Sequence, residues 1–194
     1  MAEKIYGTHH IGITVPNIEE GIAFFEKVFG AVTVFRTGPF DVDDAFMTRR
    51  LGAGSGAKIR DLVFLRCGDG PSIELFEYSG EDSTARPPRV SEVGGMHLCF
   101  EVEDVFASAT RLRAQGIDLL EGPNTVMEGP LAGFSWIYFN SPWDAGIHGT
   151  GKCMYSRLDS RRKKERSGEQ SSRIVENFRF GRPAGEQTAA TFGW

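Results

Sequence analysis

The chain has 194 residues, of which 40% are hydrophobic and 25% charged. That is the balance of a globular protein with one domain or two small modules, not of a fibrous or low-complexity chain. Residues 1–150 hold 12 Lys+Arg against 21 Asp+Glu, while residues 151–194 hold 10 against 5. The acidic body argues against a nucleic-acid surface. The basic residues concentrate around Arg161-Arg162-Lys163-Lys164, in a stretch without an apolar stripe that is expected to be disordered rather than to bind nucleic acid. No apolar run approaches a membrane span, and Met1-Ala2-Glu3-Lys4 opens without the apolar core of a signal peptide. Cys67, Cys99 and Cys153 are odd in number and lack CxxC spacing; Cys67 and Cys99, in apolar strand-like runs, read as buried thiols, and a reducing cytoplasm fits.

In chain order, Thr8 to Val15 is a short β-branched run and predicts a strand. Its alternation sets His10, Gly12 and Thr14 on one face and His9, Ile11, Ile13 and Val15 on the other. Asn17 is placed to cap a helix whose first turn carries Glu19 and Glu20 and whose apolar stripe is Ile22, Phe25, Val28 and Phe29; Gly30 stops it. Val32 to Phe35 predicts a second strand. Residues 38–57, with Asp41, Asp43 and Asp44 and then Gly52, Gly54 and Gly56, read as a loop or lid. Lys58 to Cys67 and Pro71 to Tyr78 predict a hairpin turning at Gly68-Asp69-Gly70.

The pattern then repeats. Gly95 to Val102 predicts a strand opening at His97, Asp104 to Gln115 a helix that Gly116 ends, and Ile117 to Leu120 and Phe134 to Phe139 two more strands. An internal repeat outranks any single element in deciding the fold. The expected organisation is a βαβββ module over 1–80, a linker over 81–92, a second and incomplete βαβββ module over 93–150, and the basic tail over 151–194. After Trp143 the segment to Lys152 is Gly-rich and poorly apolar, so the last strand is expected to be missing or altered. A shifted reading frame from Asp144 onward is compatible with the strand that the repeat calls for.

His10 and His97 hold the same place in the two halves. Glu74, between Ile73 and Leu75, points away from both and toward the histidine face. Two imidazoles and a carboxylate make a ligand set for a divalent metal ion; Zn, Ni, Fe, Mn and Co are not distinguished by spacing. Arg60 and Arg66 lie on strands of the first half and are candidates to hold an anionic substrate. His9 lies on the opposite face and reads as structural; Glu77, of opposite parity to Glu74, reads as a solvated carboxylate. His148 is a weak substitute ligand, and Trp136, Tyr138 and Phe139 read as core.

The runs His10-Ile11-Gly12-Ile13-Thr14-Val15, Asn17-Ile18-Glu19-Glu20, Ile73-Glu74-Leu75-Phe76 and His97-Leu98-Cys99-Phe100-Glu101-Val102 resemble the vicinal oxygen chelate superfamily, which includes glyoxalase I, methylmalonyl-CoA epimerase, extradiol dioxygenases and bleomycin-resistance proteins. The resemblance spans about residues 5–143. It implies an α+β fold of paired βαβββ modules, their mixed sheet curled around a metal-bearing cleft. It also implies that His10, Glu74 and His97 are metal ligands, with Glu74 catalytic as well. The activity it implies is that of a lyase or isomerase of glyoxalase type on a small oxygen-rich molecule. A dioxygenase and a metal-free sequestering protein are the alternatives. The family's fourth ligand is a Glu in the last strand, after Ser-Pro-Trp. This chain has Ser141-Pro142-Trp143 and then departs. The exposed edge expected there would favour a homodimer.

Overall fold

A computed structural model describes residues 4–80, 88–144 and 151–157. His148 and the Arg161–Lys164 run lie outside the described residues.

The first module contains β1 (His10–Thr14), α1 (Ile18–Phe29), β2 (Val32–Thr37), α2 (Asp44–Arg50), β3 (Lys58–Arg66) and β4 (Ser72–Ser79). The second contains β5 (His97–Glu101), α3 (Val105–Ala114), β6 (Asn124–Thr125), β7 (Phe134–Phe139) and β8 (Gly151–Arg157). Each module forms a four-stranded mixed sheet, in the orders β1-β4-β3-β2 and β5-β8-β7-β6. The outer pairs β1–β4 and β5–β8 are parallel, and the remaining pairs are antiparallel. The fold is the α+β architecture that the sequence predicts.

The last strand is altered rather than absent. β8 pairs with β5 on one side and β7 on the other, as β4 does with β1 and β3. The second module therefore runs to Arg157, past residue 150. Local sequence gave no warning of this: Gly151 to Arg157 has mixed polarity, and its place in the sheet comes from two flanking ladders, not from its own alternation. Two smaller departures have similar causes. Residues 44–50 form a helix, because Asp43 accepts the Phe46 N–H at 2.7 Å and caps it. Ile117 to Leu120 contributes only a bridge from Leu119 to Phe139.

The repeat extends to hydrogen bonds. Asn17 caps α1 and Asp104 caps α3. Val15 N–H donates to Phe76 O, and Val102 N–H donates to Tyr155 O. The first N–H of α1, on Ile18, donates to Glu77 Oε2 at 2.8 Å; the first N–H of α3, on Val105, donates to Ser156 Oγ at 3.1 Å. Glu77 is thus no solvated carboxylate. It satisfies a buried donor at the positive end of a helix.

One apolar core joins the modules. It takes Phe25 and Val28 from α1, Ile73 and Leu75 from β4, Ala109 and Leu112 from α3, and Ile137, Phe139 and Met154 from β7 and β8. Phe29 stacks on Phe100 at 3.9 Å. The helices also exchange cations at their C-terminal ends. Lys27 Nζ donates to Gln115 O, and Arg111 donates to Val28 O, both at 3.0 Å, which satisfies carbonyls at the negative ends of the two helix dipoles. Because each sheet turns one face to this shared core, its other face carries the exposed residues of its first strand, although α2 covers part of that face in the first sheet. Along β1 and β5 the exposed residues are His10, Gly12, Thr14 and His97, Cys99, Glu101.

Replacing Glu77 with Ala should destabilise the protein by about 1–3 kcal/mol, since it strands the Ile18 N–H in the core. Urea unfolding checks it. An unchanged midpoint would remove Glu77 from the role of helix cap.

Candidate functional site

On the open face of the first sheet, His10 Nε2 lies 3.2 Å from Glu74 Oε2, and the Glu74 side chain is only 13% exposed. The register explains the meeting: Gly12 of β1 is the parallel partner of Glu74, which leaves the space over that rung free for the imidazole two residues earlier. Phe64, the antiparallel partner of Glu74, packs its ring edge-on to His10 at 5.4 Å. Phe35 stacks on Phe64 at 4.6 Å, and Phe76 on Tyr78 at 5.5 Å. The pair therefore sits on an aromatic floor. Burial there pushes the Glu74 carboxyl above the usual glutamate value, with the imidazoles of His10 and His9 pulling partly back. Tyr78 is raised as well, by burial and by the Glu74 charge.

His9 belongs to this group, contrary to its parity. The strand begins at His10, so His9 is free of alternation, and its Nδ1 lies 2.8 Å from His10 Nδ1. That contact orients the ring whose Nε2 faces Glu74.

His97 occupies the matching place in the second module. Its Nε2 is 3.4 Å from the Tyr138 hydroxyl, and the rings meet edge-on at 5.3 Å. Tyr138 stands where Phe64 stands in the first half, so it lines the open face instead of filling the core; Phe139, its neighbour, is fully buried. Among the described residues no three His, Cys, Asp or Glu side chains gather closely enough to hold a metal ion. The structure brings His10 and Glu74 together and puts His97 on the other module's open face, across the shared core.

The two candidate arginines separate. β3 carries a bulge between Ile59 and Asp61, which turns Arg60 to the opposite face, where it pairs with Glu77 at 3.5 Å. The structure thus places Arg60 away from the His10–Glu74 pair, because a bulge breaks the strict alternation of β3. Arg66 is held at the hairpin end, its Nε donating to Gly68 O at 2.9 Å. The cysteines need a correction too. Cys99 and Cys153 are directly paired across β5 and β8 and form a disulfide, which could not be foreseen without β8. Cys67 is a half-buried thiol, pushed up to about 11 by burial.

A divalent ion fits the first half-site. Bonds of about 2.0–2.2 Å at angles between octahedral and tetrahedral place neighbouring donors roughly 3.0–3.4 Å apart, and the His10–Glu74 separation falls inside that range. Imidazole with carboxylate is also a donor set that such ions accept.

The raised Glu74 carboxyl has a consequence for the metal-free protein. Folding favours its protonated form. That stabilisation is fully present below the unfolded value of about 4.3 and is lost as pH rises through the higher folded value. Wild type should therefore lose stability relative to Glu74→Gln over that window, as read by urea midpoints at successive pH. A difference that grows in favour of wild type would contradict the burial account.

Comparison with known proteins follows the same lines. A sequence model of the Glyoxalase/Bleomycin resistance protein/Dioxygenase superfamily matches residues 9–134. A 2-epi-5-epi-valiolone epimerase from an Actinomyces species is 41% identical over 136 residues, 70% of this chain and 73% of its own. A glyoxalase family protein from Bacillus cereus shares the fold with a TM-score of 0.61 at 21% identity, covering 81% of this chain and 97% of that one. A fosfomycin resistance protein from Listeria monocytogenes does so with a TM-score of 0.51 at 17% identity, covering 79% and 94%. The half-site of His10 and Glu74, its repeat around His97, and these likenesses agree: the chain belongs to the glyoxalase/bleomycin resistance protein/dioxygenase superfamily.

Proposed function

We propose that the chain is a metal-dependent epimerase acting on a small oxygen-rich molecule of the 2-epi-5-epi-valiolone class. The observation that carries this is the His10–Glu74 pair, set at the spacing of two ligands on a semi-buried aromatic floor, in a chain 41% identical to an epimerase. His10 and Glu74 would hold the ion from one half and His97 from the other. When bound, the metal supplies Lewis acidity that stabilises negative charge on a substrate oxygen.

The remaining chemistry belongs to the chain. Glu74 takes a proton from the carbon beside a carbonyl. A carboxyl raised by burial is suited to this, because its basicity is closer to the working pH. Tyr138 lies against His97 and can donate a hydrogen bond from the opposite half. Phe64, Phe35 and Phe76 keep water from the reacting carbon. Tyr78 and Tyr155 offer hydroxyls to an oxygen-rich ligand.

In this reading the two halves meet in a homodimer, each copy presenting its His10–Glu74 face to the other's His97 face. The support is that both faces lie away from the core their own chain shares and remain exposed along β1, β2 and β5. Among the described residues no helix is long and apolar enough to cross a membrane.

Metal analysis of purified protein should find a divalent ion that His10→Ala loses; equal occupancy in the variant would remove His10 from the site. Glu74→Gln should slow solvent-deuterium exchange into the substrate by about 100-fold or more, as followed by NMR. Mixing His10→Ala with His97→Ala should regain activity, because mixed pairs contain one intact site. A mixture as inactive as its components would overturn the two-copy arrangement.

A further inference from the structure

The repeat gives the missing fourth ligand a substitute. In the first sheet, Gly12 of β1 is paired with Glu74 of β4, and Glu74 with Phe64 of β3. In the second, Cys99 of β5 is paired with Cys153 of β8, and Cys153 with Tyr138 of β7. The flanking hydrogen bonds fix the same correspondence, since Phe76 and Glu77 match Tyr155 and Ser156. Cys153 therefore stands where Glu74 stands: it is two residues along β8 from the partner of His97, as Glu74 is two residues along β4 from the partner of His10. The position that receives a carboxylate in the first half receives a sulfur in the second.

From this we infer that Cys153 is a redox-gated metal ligand. As a disulfide with Cys99, its sulfur has no thiolate to offer, and His97 is left with the Tyr138 hydroxyl. A dithiol reductant breaks the S–S bond by exchange. It gives up two electrons and two protons, closes to its own disulfide, and leaves Cys99 and Cys153 as thiols. Cys153 then releases its proton to solvent as it ligates, and the two halves together present two imidazoles, one carboxylate and one thiolate. That set favours borderline-soft ions such as Zn(II) and Co(II) over Mn(II). Cys99 takes the place of Gly12, at which a Cβ would lie 3.8 Å from Glu74 Oε2. It is the residue added over that rung, and its part is to lock its neighbour.

This inference rests on the metal-binding reading above, and Co(II) titration separates the two. Reduced wild type and Cys99→Ser should show a thiolate-to-Co(II) charge-transfer band in the near ultraviolet. Oxidised wild type and Cys153→Ser should bind Co(II) without it. Co(II) bound by reduced Cys99→Ser with no such band overturns the inference and leaves the metalloprotein reading intact. A band that follows Cys99 instead of Cys153 overturns it as well. Failure of every form to retain Co(II) overturns both readings. If Cys153→Ser does not fold, Zn(II) protection carries the test. In reduced Cys99→Ser, Zn(II) should shield Cys153 from iodoacetamide, as read by peptide mass. Alkylation at an unchanged rate would refute the ligand role.

Discussion

The structure depends on one central strand in each sheet. β4 and β8 are hydrogen-bonded on both edges, parallel to the module's first strand and antiparallel to its third. On one face this strand supplies the core, and on the other β4 supplies Glu74, which meets His10. A one-residue slip would exchange those faces. The helix cap guards against it. Glu77 and Ser156 reach the first N–H of their helices from the core-side face of the central strand, so register and helix placement are set together. Chemistry on the open face follows from this, because Glu74 meets His10 only when Gly12 lies across from it.

How much of this is legible in the sequence depends on the range of the interaction. Two of the helices announce themselves through local chemistry: Asn17 as a cap, Gly30 and Gly116 as stops, a 3.6-residue apolar stripe; α2 does not, although its cap, Asp43, is local too. His10, His97 and Glu74 emerge from alternation and from the repeat, which are also short-range signals. What escapes is set by partners far along the chain. β8 is a strand because β5 and β7 flank it. Arg60 faces the helix side because of a bulge that alternation cannot reveal. His9 approaches His10 because the strand starts two residues later than its composition suggests. The Cys99–Cys153 pairing needs β8 before it can be considered at all.

The two modules are alike in register and unlike in content. Where the first sheet buries Ile73, the second buries Lys152, its ammonium 5.9 Å from the Trp143 ring. Where the first presents Glu74 and Phe64, the second presents Cys153 and Tyr138. The repeat thus preserves backbone hydrogen bonding while the side chains at equivalent places diverge in charge and polarity. A site built from both halves is chemically asymmetric even though its scaffold is nearly symmetric, and an asymmetric site is what distinguishes the two faces of a substrate carbon.

The bulge in β3 also bears on motion. It puts Ile59 and Leu62 on the same face, where they bury Met47 of α2 in a cluster separate from the core that joins the modules. Among the described residues its buried members are Met47, Ile59 and Leu62, and partly buried side chains such as Phe46, Phe64 and Phe76 pack around them. The helix over the first sheet is therefore fastened by an apolar contact of its own, separate from the main core. In such a molecule, local opening costs far less free energy than global unfolding, and the amides of 44–50 would exchange with solvent through that cheaper route while those of β4 wait for the whole sheet to give way.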